Sequence, residues 1–250
     1  MSVNFDVLIE TSNSEDTFLQ IFENVFATEK QIFTVSHRTI LAACFKNPGL
    51  SPSPKKMQGA NSDSLAKVWL ERYQKSFGNR ISQRISNPPG TIADSIVNTI
   101  IGTRLTILTA EDLAQIEYAH RLSMSAENIL GLLLEEFLAE QLIDYGWHCC
   151  WGEVIRHVDF CNVDGSLLQI KNRSNSENSS SVSVRINRPI DKWHRVDAKT
   201  GLYQWSYFNK KYNTNRFSED SFVTFVQKAV SENPAALAIE DQNPWQFLAQ

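Results

Sequence analysis

The sequence predicts a mixed α/β fold with a mainly helical N-terminal region, 1–122, followed by a mixed region, 123–250. Three observations support this: helical spacing of apolar residues before residue 122, a strongly apolar helix after it, and then two short alternating strands. A chain of 250 residues can bury a sizeable core as one domain or two.

The N-terminal region is expected to contain several helices. Residues 13–45 and 65–77 have helical spacing, and a Pro-, Ser- and Lys-rich surface loop separates them. A Pro-Pro-Gly sequence at 88–90 breaks the chain before two further short helices, one after Thr91 and one beginning at Thr109. The region therefore reads as a helical module that precedes the mixed part of the chain.

A longer helix is predicted from residue 126 to residue 145. Two serines just before it are candidate N-caps, and Gly146 is the expected stop. Leucine and phenylalanine residues form one apolar stripe, which is typical of core packing. Glu136 lies off the centre of this stripe and Glu135 is expected to face solvent. A carboxylate at such a border is more often a solvated surface residue than a ligand, so Glu136 is a candidate ligand that needs a metal site beside it.

The segment VDFCNVDGSLLQIKNR, residues 158–173, predicts a β-hairpin because apolar and polar residues alternate on both sides of its turn. A two-residue turn would place Asp159 opposite Ile170 and on the other face from the Gln-x-Lys pair. A three-residue loop with Gly165 in the left-handed conformation places Asp159 opposite Gln169 instead. The Asn-x-Asp-Gly sequence suits this second loop, so the acid, the amide and the lysine are expected on one face.

Asp159, Gln169 and Lys171 are the residue types that metal-dependent phosphodiester hydrolysis needs at close quarters. Carboxylate and amide oxygens bind a hard divalent cation, and an ammonium group stabilises the reacting phosphate. The alternative is an edge hairpin whose polar face is only solvated, because short motifs often match by chance. The motif favours a nuclease, but the spacing by itself leaves both interpretations open.

The distribution of charge supports binding to a polyanion. The net charge of −4 argues against a generally basic nucleic-acid-binding protein, but residues 166–216 contain ten Lys and Arg against three Asp and Glu, and residues 55–84 contain seven against two. The first stretch would hold the phosphate backbone near the hairpin, and the second is expected to clamp the duplex. The candidate DNA contacts are Arg173, Asn175, Asn178, Arg185, Asn187, Arg188, Lys192, Arg195 and Lys199 in the first stretch, and Lys55, Lys56, Arg80 and Arg84 in the second.

Arginine and amide side chains can read base edges, so residues 172–200 are a candidate DNA-recognition loop. The Ser-rich composition of residues 172–183 equally fits a flexible linker. Two features favour recognition. The stretch begins directly on the strand that carries the Gln-x-Lys pair, and it continues into a β-branched, alternating segment at residues 181–186.

Longer segments are more distinctive than the three polar residues of the hairpin. They are SMSAENILGLLLEEFLAEQL, GWHCCWGEVIRHVDF, DGSLLQIKNRSNSENSSSVSVR and PIDKWHRVDAKTGLYQW within residues 123–205, and RISNPPGTIADSIV at residues 84–97. The string KNRSNSENSSS is especially specific. Together these segments resemble the SinI-type family of type II restriction endonucleases.

The resemblance implies a PD-(D/E)xK restriction-endonuclease-like core, with a mixed central sheet flanked by helices, and Mg²⁺-dependent cleavage of both strands of duplex DNA. Asp159 matches the metal-binding aspartate, Gln169 the second position and Lys171 the lysine. The backbone carbonyl of Ile170 would join the metal ligands, and Glu136 could complete them. Gln169 departs from the wider superfamily pattern, because an amide offers only a neutral oxygen.

The resemblance also implies a companion DNA methyltransferase and a short symmetric recognition site, GGWCC. A symmetric site cut on both strands suggests a homodimer. The N-terminus lacks a basic start and no apolar run reaches the roughly 18 residues of a membrane span, so a cytoplasmic protein without a membrane partner is expected. Two alternatives remain: a DNA-repair or recombination nuclease without strict sequence preference, and a catalytically silent DNA-binding protein.

Overall fold

The computed structural model describes residues 3–53, 55–90, 92–174 and 190–246. Within these ranges the chain forms eight α-helices and one four-stranded sheet, which confirms the predicted mixed α/β fold. The helices are α1 (Phe5–Thr11), α2 (Glu15–Thr28), α3 (Val35–Lys46), α4 (Ser62–Gly78), α5 (Ser95–Arg104), α6 (Ala110–Leu142), α7 (Ser206–Tyr212) and α8 (Glu219–Glu232). The strands are β1 (Trp147–Cys149), β2 (Phe160–Asn162), β3 (Leu167–Arg173) and β4 (Ile190–Val196).

The sheet is mixed, as expected. Its strand order is β1-β2-β3-β4, in which β2 pairs antiparallel with both β1 and β3, and β4 pairs parallel with β3. None of the helices in the described ranges is both long and apolar enough to cross a membrane.

The chain folds into two compact units that do not follow the order of the sequence. The first contains Met1–Asn79 and Leu134–Phe222, and the second contains Arg80–Leu133 and Val223–Gln250. The expected division at residue 122 falls inside α6, which contributes residues to both units. The interruption expected before residue 126 is absent because α6 has no glycine or proline between Ala110 and Asn128.

The main core of the first unit is aromatic and lies between the N-terminal helices and the sheet. Helices α1, α2 and α4 contribute Phe5, Phe18, Phe22, Phe26 and Trp69, all fully buried. Three sheet residues, Cys161, Leu167 and Ile190, complete the same cluster together with Cys150, which directly follows β1. The N-terminal helices therefore pack directly on the sheet that carries the predicted hairpin.

A second group of aromatic residues also packs within the first unit. The ring of Trp193 on β4 lies 5.1 Å from Trp205 and 4.8 Å from Phe208. Phe137 of α6 lies 5.7 Å from Trp205 and 5.4 Å from Phe222. Trp193, Trp205 and Phe208 therefore belong to the core, and these contacts fix the C-terminal part of α6 beside the sheet.

Candidate active site

The β2–β3 hairpin has the register expected from its turn sequence. Phe160 pairs with Leu168, and the N–H of Asn162 donates to the carbonyl of Ser166 at 2.9 Å. Gly165 closes the three-residue loop with φ of +91°, and the side-chain oxygen of Asn162 accepts from the N–H of Asp164 at 3.1 Å. The prediction of a three-residue loop is therefore confirmed. The regular pairing ends at Phe160 and Leu168, so the expected placement of Asp159 opposite Gln169 stays a prediction.

Asp159 is held tightly just before β2. Its N–H donates to the carbonyl of Leu168 at 2.9 Å, and its carbonyl accepts from the N–H of Cys150 at 2.8 Å. The carboxylate oxygen Oδ2 accepts from the N–H of Ile170 at 2.7 Å, which draws the side chain toward β3 between Gln169 and Lys171. The backbone thus orients the carboxylate before any ligand binds.

Burial raises the pKa of Asp159 to about 6, although the Ile170 hydrogen bond and the positive charge of Lys171 both act to lower it. Asp159 and Lys171 therefore interact electrostatically, as the shared-face hypothesis requires. Lys171 itself is half-buried, while Gln169 is buried and engaged in a polar or electrostatic interaction.

Glu135 of α6 is a second carboxylate that interacts with Asp159 and Lys171. Burial, followed by the negative charge of Asp159, raises the pKa of Glu135 to about 8, and Lys171 lowers it. The expectation that Glu135 faces solvent is therefore wrong. The apolar stripe of α6 correctly identifies its buried side, but the sequence does not show which border of that stripe faces the hairpin.

Glu136 is also buried, with 4% of its surface exposed, and its side chain has an interaction partner. It is therefore not the solvated border residue that its position in the helix favours. Glu135 is the carboxylate whose pKa responds to Asp159 and Lys171, whereas a metal-binding role for Glu136 stays a prediction.

Strand β4 adds two polar residues to the face of the site. Its parallel register pairs Lys192 with Gln169 and His194 with Lys171. Side chains of paired residues point to the same face of a sheet, so Lys192 and His194 extend the polar face beyond β3. Both are half-buried. Lys192 is among the predicted DNA contacts, but His194 is not. The alternation Lys-Trp-His at residues 192–194 could have indicated that His194 shares a strand face with Lys192.

The remaining predicted DNA contacts are distributed unevenly. Arg173 and Lys199 are exposed at the end of β3 and in the turn after β4, and Lys55 and Lys56 are exposed in the first unit, where Lys56 also pairs with Glu153 at 3.0 Å. Arg80 and Arg84 are half-buried residues of the second unit. The other candidates lie outside the described residues, namely Asn175, Asn178, Arg185, Asn187 and Arg188.

Arg195 has a different environment from the one expected of a DNA contact. It is buried, its guanidinium pairs with Glu219, and its Nε donates to the side-chain oxygen of Asn172 at 2.9 Å. The group also lies over the ring of Phe222 at 5.3 Å. Because its place in β4 turns this side chain into the protein, Arg195 ties β4 to α8 and is left out of the proposed DNA surface.

The donor set of the site suits a hard divalent cation. Two carboxylates, Glu135 and Asp159, are held close enough for the charge of one to raise the pKa of the other. Asp159 is bonded to the N–H of Ile170 on β3, the strand that also carries Gln169. A divalent cation would relieve this repulsion. Within the described ranges, no three His, Cys, Asp or Glu side chains form a metal-binding group, so any ligands beyond the two carboxylates have to be amide, carbonyl, phosphate or water oxygens.

Comparison with known proteins places the site in a family. The model of the SinI restriction endonuclease family matches residues 20–232, a range that contains all the candidate active-site residues. Type II restriction enzyme SinI of Salmonella infantis is 38% identical over 163 residues, which cover 63% of this chain and 70% of the relative. Type II restriction enzyme Eco47I of Escherichia coli is 37% identical over 181 residues, which cover 70% of this chain and 77% of the relative. The chain belongs to the SinI restriction endonuclease family.

Proposed function

We propose that the protein is a type II restriction endonuclease that cleaves both strands of duplex DNA at a short symmetric site and uses Mg²⁺ as its cofactor. The observation that carries the proposal is the arrangement around Asp159. Its carboxylate accepts from the N–H of Ile170, and it interacts with the carboxyl group of Glu135 and the ammonium group of Lys171. Family membership supports DNA as the substrate.

Each side chain has a distinct role in the proposed hydrolysis. Asp159, Gln169, Glu135 and the backbone carbonyl of Ile170 would hold Mg²⁺. When bound, Mg²⁺ supplies Lewis-acid polarisation of the phosphate and lowers the pKa of a coordinated water. Lys171 orients the attacking water and stabilises negative charge that develops on the phosphate.

Glu136 has a secondary part in this proposal. A buried carboxylate next to Glu135 in sequence can complete or tune the metal shell, or can hold the helix in place through its existing partner. The comparison of Glu135 and Glu136 variants in the Discussion separates these roles.

We propose that Arg173, Lys192 and Lys199 belong to the DNA surface near the cleavage centre, within a recognition loop spanning residues 172–200. Residues 55–84 would supply a second basic surface, through Lys55, Lys56, Arg80 and Arg84. Their charges would hold phosphates, while base reading would fall to arginine and amide side chains of the recognition loop.

The biological setting follows from the same proposal. The recognition site would be GGWCC, and a companion methyltransferase would modify the same sequence in host DNA. The enzyme would act in the cytoplasm, where its DNA substrate is. A symmetric double-strand cut favours a homodimer with one active centre for each strand.

The decisive experiment compares Asp159→Ala and Lys171→Ala with two control variants, Asp16→Ala and Lys46→Ala. The controls remove an exposed acid on α2 and an exposed lysine on α3. Plasmid cleavage with Mg²⁺ should fall at least about 1000-fold in the site variants, because each loses a group that acts on the reacting phosphate. The controls should cleave normally, and gel-shift binding of specific DNA should remain measurable in all four.

Full cleavage by either site variant would contradict the proposal, and so would wild-type cleavage that persists in excess chelator. Sequencing the fragment ends produced by the wild type tests the remaining alternatives. Discrete fragments with one shared end sequence identify a restriction enzyme, whereas heterogeneous ends identify a repair or recombination nuclease. Binding without any hydrolysis identifies a catalytically silent protein.

A further inference from the structure

The second unit presents an unusually apolar surface to solvent. Helix α5 contains no buried residue, and its only charged side chain is Arg104 at the last position. Exposed aliphatic residues lie just before α5, on α5, in the connection to α6 and on α6 itself. They are Ile92, Ile96, Val97, Ile100, Leu105, Ile107 and Ile116.

We call these residues the α5–α6 face. Ile96 and Val97 precede Ile100 on α5 by four and three positions, so each lies about one turn from it and the three form a stripe. Val97 and Ile116 also line a common cleft of about 400 Å³. The two helices are joined by a hydrogen bond from Asn98 Nδ2 to Glu117 Oε2 at 3.0 Å, so the stripe and the α6 residues belong to one helical hairpin.

The area of this face is large for a protein that works as a monomer. Ile92 is 96% exposed, Ile107 88%, Ile100 63% and Ile96 58%, and all seven residues together amount to more than four fully exposed aliphatic residues. Their summed exposure corresponds to roughly 700 Å² of mostly apolar surface, close to the area of about 800 Å² that each partner contributes to a stable interface.

We propose that a second copy of this chain docks on the α5–α6 face, so that two helical hairpins pack as a four-helix interface across a twofold axis. An isologous interface brings each surface against itself. A strongly charged surface would repel an identical surface, whereas the apolar stripe of α5 can pack against an identical stripe without electrostatic repulsion. Two hairpins with exposed apolar stripes bury them by forming a bundle.

A twofold dimer agrees with the two active centres that a double-strand cut requires, and this part of the inference rests on the proposed function. Each chain has one candidate site, at Glu135, Asp159 and Lys171. A double-strand cut breaks two phosphodiester bonds, one on each of two antiparallel strands. A twofold axis supplies one centre for each strand. The α5–α6 face belongs to the second unit, so an interface there does not require any residue of the candidate site.

The test measures the mass of the free protein without DNA or Mg²⁺, so it does not depend on cleavage. Analytical ultracentrifugation at micromolar concentration should give a dimer of about 57 kDa for the wild type, twice the chain mass of 28.4 kDa. The double variant Ile96→Glu/Ile100→Glu should sediment as the 28.4 kDa monomer, because four carboxylates would face one another across the interface. The control Ile32→Glu, at a residue 80% exposed in the first unit, should remain dimeric.

Circular dichroism of the double variant should match the wild type, since both substituted residues are exposed. The single variant Ile107→Glu, in the α5–α6 connection, gives an independent test and should weaken the dimer at least tenfold in its dissociation constant. A monomeric wild type, or a double variant that stays dimeric, would overturn the proposal. Lys171→Ala should remain dimeric although it does not cleave DNA. A wild-type dimer that fails to cleave DNA would count against the proposed function while leaving this interface intact.

Discussion

Replacement of Glu135 by glutamine should stabilise the metal-free protein and at the same time remove most of its metal-dependent activity. The neutral amide keeps the size of the side chain but removes the cost of burying a charged carboxylate and the repulsion with Asp159. Most substitutions of partly buried polar residues destabilise a protein, so a gain of stability would be a specific sign that a charge at this position is unfavourable. Glu136→Gln on the same helix is the matched control.

The magnitude follows from the pKa of Glu135. Its ordinary value is 4.5 and its value in the folded protein is about 8. Because the folded pKa is raised, this group costs nothing below pH 4.5, and stability falls by about 1.4 kcal/mol per pH unit as pH rises from there toward 8. At pH 7 the upper limit is about 3 kcal/mol, and because the side chain is half-buried, solvent screening reduces the expected gain to about 1–3 kcal/mol.

The assay is urea unfolding at pH 7, in EDTA and in Mg²⁺, combined with plasmid cleavage. Glu135→Gln should raise the free energy of unfolding in EDTA. In the wild type, Mg²⁺ at ten times its Kd should add about 1.4 kcal/mol, and the variant should lose most of this gain. Cleavage should fall about 100-fold or more.

Glu136→Gln should behave differently, because it disturbs a buried group that already has a partner. It should lose stability in EDTA and keep a larger share of the stabilisation by Mg²⁺. The reasoning is refuted if Glu135→Gln is destabilised as much as Glu136→Gln, or if it cleaves DNA at the wild-type rate. If only Glu136→Gln loses the stabilisation by Mg²⁺, Glu136 rather than Glu135 is the metal ligand.

Two further predictions concern histidines. His194→Ala removes a side chain on the same face as Lys171, so KM for cleavage should rise about tenfold with a smaller fall in kcat. His120→Ala in the second unit serves as the control. Steady-state kinetics that show only a fall in kcat would contradict a phosphate-positioning role for His194. Burial lowers the pKa of His37 from 6.5 to about 4, so the unfolded chain binds the proton more readily and stability is lost as pH falls from about 6.5 toward 4. His37→Gln should therefore lose less stability than the wild type between pH 7 and 4.5, by up to about 3 kcal/mol in urea unfolding, and equal losses would show that this histidine does not contribute.

The hairpin was predictable because its determinants are local. Asn162, Asp164 and Gly165 fix the loop length through turn hydrogen bonds and a positive φ, and the loop length fixes which residues face each other. Alternation then decides which side chains share a face. The pairing of Asn162 with Ser166 needed no information from the rest of the chain.

The contribution of α6 was not predictable in the same way. The capping sequence at Thr109 correctly marks its beginning, with the side chain of Asp112 accepting from the N–H of Thr109 at 2.8 Å. Serines 123 and 125 also look like N-caps, but a helix that has already formed continues through such residues when no glycine or proline stops it. The choice between Glu135 and Glu136 depends on tertiary packing, because both lie at the edge of one apolar stripe.

Strand β4 shows a similar limit for charged residues. Its sequence contains Lys192, His194 and Arg195, all plausible DNA contacts from composition. Parallel pairing with β3 places the first two on the face of Gln169 and Lys171, and strand alternation sends Arg195 the other way, toward Glu219. Sequence composition locates the positive charge, but strand register decides which of these charges can reach a phosphate.

The neutral amide at Gln169 gives the position of α6 a chemical consequence. If the hairpin were the sole source of charge, Asp159 and Lys171 would cancel, and the site would attract a divalent cation only weakly. Glu135 adds the missing negative charge from α6, at the cost of a pKa of about 8 in the metal-free protein. The packing of Phe137 against Trp205 and Phe222 helps to fix the C-terminal part of α6 within the first unit. The geometry of the proposed metal site would therefore be set by core packing as well as by the hairpin, so a residue that never contacts the metal would still control how strongly it binds.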